Sequence, residues 1–522
     1  MLTVFRMPLF IVYYLLFCYT QNMEEKAKKI IDDIENAPKS IGNEIVRDSK
    51  VVTDEIIKDT RIVAGGIATG TKAVAGEIAK DTKMVVEGIE KAPQVIVETL
   101  KRPAHFSLKI FLKKLGPGLI TGASDDDPSG VATYSYVGAR FGYQQLWLSL
   151  YLLPLMTAVQ EICARIGLVT DEGLAGTVKK HYGKKLVIFV STLLLFANIV
   201  NIGANLGAMT SSTRLLIPNV NFTLILIAYT VIVLLLVLFV RYHTYSKILK
   251  FLVISLGAYI ATGIITRPDW SMVLKSALIP QIQFNKDFLM AMVAVMGTTI
   301  TPYLFFWQTS EEVEEHIEKH LDVKRSKKVE LAELADMRED VFAGMGLANL
   351  VFFFIIVTTA SVLFTNGITN IETAQDAAMA LRPLAGDHAY LLFATGIIAT
   401  GFLSIPVLAG SVAYAVSETF DWNEGLYHKF KEAKGFYGII ILATIVGLII
   451  NYIGISPFKA LIYAAVVNGI IAPILLFTIM VISNDKKIMG DFVNSRTSNF
   501  FGWLATILMG AAAATLILSM VF

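Results

Sequence analysis

Apolar stretches long enough to cross a membrane recur along this chain, and they constrain its fold more than any other feature. Hydrophobic residues make up 55% of the 522 residues, and the mean hydropathy is +0.61, far above that of an ordinary soluble domain. A helix of about 20 apolar residues spans a bilayer while it satisfies its own backbone hydrogen bonds. The chain is therefore predicted to be an all-α polytopic membrane protein.

Eleven membrane spans are expected within a transmembrane domain at residues 101–522. They are placed near residues 110–140, 145–168, 186–209, 221–240, 247–266, 287–312, 341–364, 388–414, 436–454, 457–482 and 500–521. Lys and Arg concentrate in the loops that follow spans 2, 4, 6, 8 and 10, which by the positive-inside rule face the cytoplasm. We therefore expect a cytoplasmic N-terminus in the plasma membrane, which argues against a cleaved signal peptide.

Two further segments precede the spans. Residues 1–22 are an apolar N-terminal segment, which is either a short anchor, a signal-like stretch or the result of a misassigned start. Residues 23–100 contain six copies of an 11-residue repeat, between residues 33 and 98. Because eleven residues make three helical turns, the apolar positions stay on one face. This region is predicted to lie on a membrane surface, to form a helical assembly or to be a solvated tail.

Composition also bears on the classes of function. Two cysteines in apolar segments and seven scattered histidines form neither a disulfide framework nor a zinc motif. No ATP-binding motif accompanies the spans. The chain is predicted not to be an enzyme, to hold no resident cofactor and to bind no nucleic acid; its partners are expected to be the lipid bilayer and a transported ion.

The first span is interrupted by polar residues at its centre. Asp125, Asp126 and Asp127 are followed directly by Pro128 and, two residues later, by Gly130. A carboxylate inside a membrane is costly and indicates a functional site, while Pro and Gly indicate a broken helix. Transporters often build cation sites at such breaks. Asp127 is predicted to be a metal ligand, whereas Asp125 is expected at the aqueous edge. Asp126 either adds negative charge or contacts the ion at the vestibule, or it forms a salt bridge or a solvated turn.

The sixth span has a similar interruption at Gly297–Pro302, where Gly, Thr and Pro replace the usual apolar residues. Two breaks five spans apart indicate a pair of inverted five-helix repeats with a site between them. Unwound backbone exposes carbonyl oxygens, and Asp adds a charged oxygen ligand. Sites made of oxygen alone suit hard cations such as Mg²⁺, Ca²⁺ and Mn²⁺.

These motifs resemble those of the NRAMP family of divalent-metal transporters. Asp127-Pro128-Ser129-Gly130 is similar to the DPGN motif of that family's first helix, and the segment from Thr298 to Tyr303, TTITPY, stands where the family has ATVMPH. The resemblance covers about residues 110–480. It implies a LeuT-type 5+5 inverted-repeat fold with 11 transmembrane helices, helices 1 and 6 being broken. Metal is then expected to bind between those two helices.

The resemblance also implies a ligand set, and this chain departs from it. The family holds its metal with the motif Asp, the motif Asn, an Ala carbonyl and a Met, which fall here at Asp127, Gly130, Thr298 and Thr301. The Asn amide and the soft Met thioether are therefore missing, and small residues should widen the site. A wider site made of oxygen suits a partly hydrated Mg²⁺. The chain accordingly looks closest to the NRAMP-related magnesium transporter branch.

A second departure concerns protons. The family's two histidines of helix 6 fall at Tyr303 and Gln308, and neither a phenol nor an amide exchanges protons near neutral pH. Span 3, where the family carries acids, offers Asn198, Asn201 and Asn205. We therefore expect uptake of Mg²⁺, and also of Mn²⁺, without proton coupling. The alternatives are a proton-coupled Mn²⁺/Fe²⁺ NRAMP importer, a sodium-coupled solute symporter of LeuT-type fold and a non-transporting scaffold.

Other polar residues in the spans have structural interpretations as well. The three asparagines of span 3, and Asn468 in span 10, either hydrogen-bond neighbouring helices or line a hydrated pathway with Tyr303 and Gln308. Glu161 and Arg165 are one helical turn apart and are predicted to be a structural pair. The acidic run at 311–315 is expected to be a solvated helix end or, alternatively, a funnel for cations on the cytoplasmic side.

Overall fold

A computed structural model describes residues 116–239, 257–320 and 331–521 of the chain. Every regular element within these ranges is helical, as predicted. The expectations for residues 1–22, for the repeat region at 23–100 and for the start of the first span lie outside the described residues. The same holds for most of the predicted fifth span, of which residues 257–266 are described.

The helices are numbered here in chain order. They are α1 (Pro117–Asp125), α2 (Pro128–Phe141), α3 (Trp147–Thr170), α4 (Leu174–Tyr182), α5 (Lys184–Leu216), α6 (Phe222–Phe239), α7 (Gly257–Ile265), α8 (Trp270–Leu278), α9 (Lys286–Thr299), α10 (Pro302–His320), α11 (Leu331–Val362), α12 (Ala374–Ala378), α13 (Arg382–Ala385), α14 (Ala389–Phe420), α15 (Lys434–Ile450), α16 (Pro457–Ser483), α17 (Lys486–Met489) and α18 (Arg496–Val521). Short 3₁₀ turns lie at Phe364–Asn366, Met379–Leu381, Gly386–His388 and Gly490–Phe492.

The first predicted break separates α1 from α2. Asp126 ends α1 with φ −82° and ψ 44°, and Asp127 is extended with φ −65° and ψ 171°. Pro128 explains this geometry, because its ring disfavours a helical conformation at the preceding residue. Proline is also well suited to the first position of a helix, where no N–H is required, so α2 begins at Pro128.

The second predicted break separates α9 from α10. Ile300 leaves the helical region with φ −117° and ψ 76°, and α10 begins at Pro302. Both interruptions are therefore confirmed, and each begins its second half-helix with a proline. Four half-helices result, and the broken ends carry backbone groups that no helix of their own satisfies.

The number of spans is only partly tested by the described residues. Among them, eight helices are long and apolar enough to cross a membrane, counting α9 and α10 as one segment, Lys286–Ile317. The halves of the first span and α15 are shorter, at 9, 14 and 17 residues. Eleven spans therefore stay a prediction. The short helices α4, α8 and α12 were not predicted, because nine residues or fewer give too weak a periodic signal.

Close helix packing holds the second break in place. Gly297 of α9 faces Gly469 of α16, and a Cβ on Gly297 would overlap the Ala465 carbonyl and the Gly469 amide. Small residues at such crossings let helix backbones approach, a common device in membrane bundles. The helix α2 packs against both α9 and α16, and α5 packs along α14, α15 and α16. The two breaks are thereby brought together beside α5.

Candidate metal site

The Asp127 carboxylate lies at the break between α1 and α2 and is 1% exposed. Its Oδ1 accepts hydrogen bonds from the Gly130 backbone N–H at 2.9 Å and from the Ser129 hydroxyl at 2.5 Å. Asp127 is therefore the N-cap of α2, a position where a carboxylate satisfies free N–H groups and the positive end of the helix dipole. The break thus fixes both the position and the orientation of this carboxylate.

Two asparagines of α5 hold the other oxygen of Asp127. The side-chain amides of Asn201 and Asn205 donate to Asp127 Oδ2 at 3.2 Å and 3.1 Å. Asn205 also donates to the Ser404 hydroxyl of α14 at 3.2 Å. Both asparagines are completely buried. Four hydrogen bonds from neutral groups therefore surround this carboxylate.

Hydroxyl groups from the two breaks meet next to Asp127. Ser129 lies 3.3 Å from the Thr298 hydroxyl, measured between the two oxygen atoms. The Thr301 hydroxyl is buried and has no hydrogen-bond partner among the described residues. Asp127, Ser129 and Thr298 thus form a cluster of oxygen atoms between the half-helices.

Two tyrosines tie the breaks to each other. The Tyr134 hydroxyl of α2 lies 3.0 Å from the Thr299 hydroxyl of α9. Tyr303 of α10 donates to the Ser124 carbonyl of α1 at 2.7 Å. That carbonyl is one of those left free where α1 ends. Tyr303, which the sequence suggests as a pathway residue, therefore joins the two broken spans.

Gly130 does not leave the open space expected of it. A Cβ at this position would lie 3.2 Å from the Asp125 carbonyl oxygen and 3.4 Å from the Thr298 hydroxyl. The Asp125 carbonyl and the Thr298 hydroxyl therefore pack closely against Gly130, because no Cβ keeps them apart. Any room for a hydrated ion at Gly130 has to come from a different conformation of the two breaks.

All three aspartates are buried, so the expectation that Asp125 lies at an aqueous edge was wrong. Asp125 is 1% exposed and Asp126 is 2% exposed, and one oxygen of each has no hydrogen-bond partner among the described residues. The error arose because hydropathy along a span does not show how deeply a break is enclosed by other helices. Within the described residues no three His, Cys, Asp or Glu side chains are grouped so as to hold a metal ion. A site here would have to combine Asp127 with neutral oxygens.

The other pathway candidates are placed at different points. Asn198 donates to the Leu408 carbonyl and the Ser411 hydroxyl of α14, both at 2.8 Å, which is a helix-to-helix bond. Gln308 donates to Glu312 within α10 at 2.8 Å. Asn468 is 1% exposed, and neither end of its amide has a partner in the described parts of the chain.

The acidic run of α10 is not simply a solvated helix end. Glu311 is 8% exposed and Glu312 is 5% exposed, so these two members are buried. Glu314 instead lines a cavity of about 680 Å³ together with Glu418 of α14 and Glu424 of the following loop. Its carboxylate accepts hydrogen bonds from the Tyr414 hydroxyl and, at 2.8 Å, from the Leu426 N–H. Packing of α10 against α3 and α14 explains the burial.

The predicted pair in span 2 is confirmed. Arg165 Nε donates to Glu161 Oε1 at 3.0 Å, one turn apart in α3.

Two serines near Asp127, Ser404 and Ser129, were not singled out from the sequence for a role at the site. Ser129 could have been found because it belongs to the Asp-Pro-Ser-Gly motif, whereas Ser404 has no local signal and is placed only by the packing of α14 on α5.

Paired breaks in spans 1 and 6, facing each other around a buried carboxylate, define a membrane transporter of the LeuT type. The family model described as natural resistance-associated macrophage protein-like, or NRAMP, matches residues 118–519. The chain therefore belongs to the NRAMP family, whose members are transporters and not enzymes.

Individual relatives agree with this assignment. The divalent metal cation transporter MntH of Caldanaerobacter subterraneus is 26% identical over 411 residues, covering 76% of this chain and 90% of that protein. The structure of the Eremococcus coleocola manganese transporter in complex with an aromatic bis-isothiourea compound has a TM-score of 0.64 at 19% identity, covering 79% of this chain and 87% of that one. The predicted LeuT-type class of fold is confirmed by this likeness.

Proposed function

We propose that this protein carries a divalent metal cation across the plasma membrane by alternating access at the two broken spans, with Mg²⁺ as the first substrate and Mn²⁺ as the second. Asp127 is the charged ligand, Thr298 and Thr301 supply further oxygens, and Asp126 adds negative charge. The observation that carries the proposal is the buried Asp127 carboxylate at the break, surrounded by hydroxyl and amide groups.

The preference for Mg²⁺ follows from the ligand types. Carboxylate, hydroxyl and amide oxygens suit hard cations, whereas a thioether favours softer transition metals. Thr301 stands where the family has Met, and its buried hydroxyl has no partner among the described residues. Mg²⁺ loses water reluctantly and commonly keeps several water molecules. A site with one carboxylate ligand and several neutral oxygens meets that requirement once the breaks move apart.

Transport without protons is proposed for a related reason. Tyr303 and Gln308 replace the family's histidines, and Asn201 and Asn205 rather than acids contact Asp127. The membrane potential is then a sufficient driving force. A divalent ion that moves inward across 100 mV gains about 4.6 kcal/mol, which supports roughly thousandfold accumulation.

A second candidate is a proton-coupled Mn²⁺/Fe²⁺ importer. It is favoured by two relatives, one a divalent metal cation transporter and the other a manganese transporter. It fits the family as well as the first candidate does. The two candidates predict different results for competition by a soft ion such as Cd²⁺ and for proton movement during metal uptake.

Orientation and location are part of the proposal. The excess of Lys and Arg in alternate loops supports a cytoplasmic N-terminus. Residues 33–98 lie outside the described residues; with a cytoplasmic N-terminus, their lysines are proposed to contact the anionic membrane surface.

Uptake by purified protein in liposomes distinguishes the two candidates. We expect Mg²⁺ and Mn²⁺ uptake by the wild type, weak competition by Cd²⁺ and no acidification of the lumen during uptake. Thr301→Met should increase Cd²⁺ competition about tenfold or more, since it restores a soft ligand. Asp127→Asn is the inactive control, because it keeps the N-cap but removes the charge. Strong Cd²⁺ competition in the wild type, or metal-driven acidification, would favour the proton-coupled importer.

A further inference from the structure

We propose that Asn201 and Asn205 form an amide switch, which holds the Asp127 carboxylate in the empty transporter and turns to give oxygen ligands to the cation in the loaded one. This inference rests on the proposed transport of a divalent cation at Asp127. It assigns to two residues of α5 a direct part in binding, beyond a place along the pathway.

The hydrogen bonds at Asp127 support the first half of the switch. Asn201 Nδ2 and Asn205 Nδ2 lie 3.2 Å and 3.1 Å from the same oxygen of Asp127. Both asparagines are completely buried, and Asp127 is 1% exposed, so bulk water does not compensate the carboxylate. A buried carboxylate needs donors in place of water, and two amides provide them at the oxygen that the N-cap bonds leave open.

A cation cannot bind Oδ2 of Asp127 while the N–H groups of both amides are directed at that oxygen. A metal ion that binds Oδ2 repels the partial positive charge of N–H groups directed at that oxygen. The donors must therefore move away or turn when the ion arrives. Because Asn201 and Asn205 project from adjacent turns of α5, the same small rotation serves both of them.

The asparagine amide is suited to turning, because its two ends differ in chemistry but hardly in size. The Oδ1 atoms of Asn201 and Asn205 are buried and have no hydrogen-bond partner among the described residues. A half-turn about the last side-chain bond places each Oδ1 close to where Nδ2 now lies, next to Asp127 Oδ2. One carboxylate and two amide oxygens then face the ion, and all three are hard ligands.

The surroundings of Asn205 are compatible with this rotation. Its Nδ2 donates to the Ser404 hydroxyl at 3.2 Å, and a hydroxyl can either accept or donate a hydrogen bond. Ser404 can therefore keep a bond to Asn205 in both orientations. Asn198, one turn earlier in α5, differs because it donates to the Leu408 carbonyl, which can only accept. That contact fixes Asn198 in one orientation and makes it a matched control.

The test separates the donor and acceptor roles by substitution. Asn→Asp keeps oxygen ligands but removes the N–H donors, whereas Asn→Leu removes both. Each change is made singly at positions 201 and 205, and Asn198→Leu is the control. Mg²⁺ or Mn²⁺ transport is measured in liposomes as net uptake and as exchange, with metal on both sides. Rates are expressed per folded protein, as judged by size-exclusion elution and thermal unfolding.

The switch predicts a different pattern for each substitution. Asn201→Leu and Asn205→Leu should raise KM about tenfold in both assays, because a ligand is lost. Asn201→Asp and Asn205→Asp should leave KM for exchange unchanged or lower. Their net uptake should fall about fivefold or more relative to exchange, because only net uptake requires return of the empty transporter. Asn198→Leu should leave KM and the ratio of the two rates unchanged.

Two results overturn the inference. If Asp and Leu raise KM alike at both positions, the asparagines act only as donors that position Asp127. If neither substitution changes KM or the ratio of net uptake to exchange, they have no part in binding. Both results leave the proposed function intact, since the wild type still transports metal in the same assay. Failure of wild-type transport for every divalent ion tested would instead overturn the proposed function and the switch with it.

Discussion

Asp127 shows how one side chain can stabilise the fold and build a site at the same time. Its Oδ1 caps α2 through the Gly130 N–H, while its Oδ2 is directed toward α5. Because capping uses one oxygen, the other is left for the amides or for an ion. The carboxylate is therefore held in one orientation before any cation arrives, which lowers the entropy lost on binding.

A half-buried carboxyl outside the spans makes stability depend on pH. Glu424 lies in the loop after α14, beside the cavity that Glu418 and Glu314 also line. Partial burial, followed by repulsion from Glu418 and Glu314, raises its pKa well above the ordinary value of 4.5. The folded protein then retains a proton that the unfolded chain loses. The contribution of Glu424 to stability therefore falls as pH rises above about 4.5.

Glu424→Gln should consequently reduce the loss of thermal stability between pH 5 and pH 8. The control is Glu432→Gln in the same loop, where a hydrogen bond from the Lys429 N–H lowers the pKa of an exposed carboxylate. That group stabilises the fold above its unfolded pKa and loses its contribution as pH falls, so its replacement should matter least at low pH. Unfolding temperatures measured across this range test both signs. Identical pH profiles for wild type and Glu424→Gln would contradict the prediction.

At the scale of single residues, the sequence predicted the position of Asp127 but not its neighbours. Pro128 and Gly130 act locally, so the break and its carboxylate could be read from a few consecutive positions. The bonds from Asn201 and Asn205 join residues more than 70 positions apart, and they depend on how α5 packs beside the break. The depth of Asp125 is set in the same non-local way.

Among the elements, α9 and α16 make the crossing that supports the second break. Gly297→Ala adds a Cβ that would overlap the Ala465 carbonyl and the Gly469 amide, which are backbone groups that cannot rotate away. We expect it to destabilise the protein by about 1–3 kcal/mol, a typical effect of overpacking, and to reduce transport because α9 must shift. Thermal unfolding in detergent and liposome uptake measure the two effects.

A matched glycine in another helix provides the control. Gly438 lies in α15, and among the described residues no heavy atom beyond the backbone of its own helix and its two chain neighbours lies within 4 Å of a Cβ placed there. Gly438→Ala should be neutral or should stabilise the protein by up to about 1 kcal/mol, because alanine favours the helix. Equal effects of the two substitutions would show that α9 and α16 do not approach as closely as described.

The elements themselves differ in how far the sequence predicts them. Breaks with Gly and Pro, and long apolar helices such as α5 and α14, were predicted because their signals are local and periodic. The helix α5 nevertheless runs from Lys184 to Leu216, beyond the expected 186–209, since its ends carry polar residues such as Lys184 and Arg214 rather than apolar ones. Short helices in the connections depend on contacts that the sequence pattern does not show.

At the scale of the whole molecule, a buried polar network joins parts of the chain that are far apart in sequence. Arg165 of α3 donates to Glu161, to the Phe492 carbonyl at 2.6 Å and to Asn494 at 2.7 Å. Arg338 of α11 also donates to Glu161, at 3.0 Å. One guanidinium therefore connects α3 with the segment before α18, and its planar set of donors makes several bonds at once.

Removing Arg165 should destabilise the protein strongly, because the Phe492 carbonyl and Asn494 lose the N–H groups it donates and the buried Glu161 loses one of the two arginines that donate to it. Arg165→Met keeps most of the apolar length of the side chain, and we expect a loss of about 3–5 kcal/mol, as for breaking a buried ion pair. Arg140→Met is the control: Arg140 pairs with Asp287 at 3.4 Å where both side chains are largely exposed, at 40% and 58%. Such a pair contributes at most about 1 kcal/mol. Thermal unfolding of the two purified variants measures the difference, and a loss for Arg165→Met no larger than that of the control would show that the network does not hold these segments together.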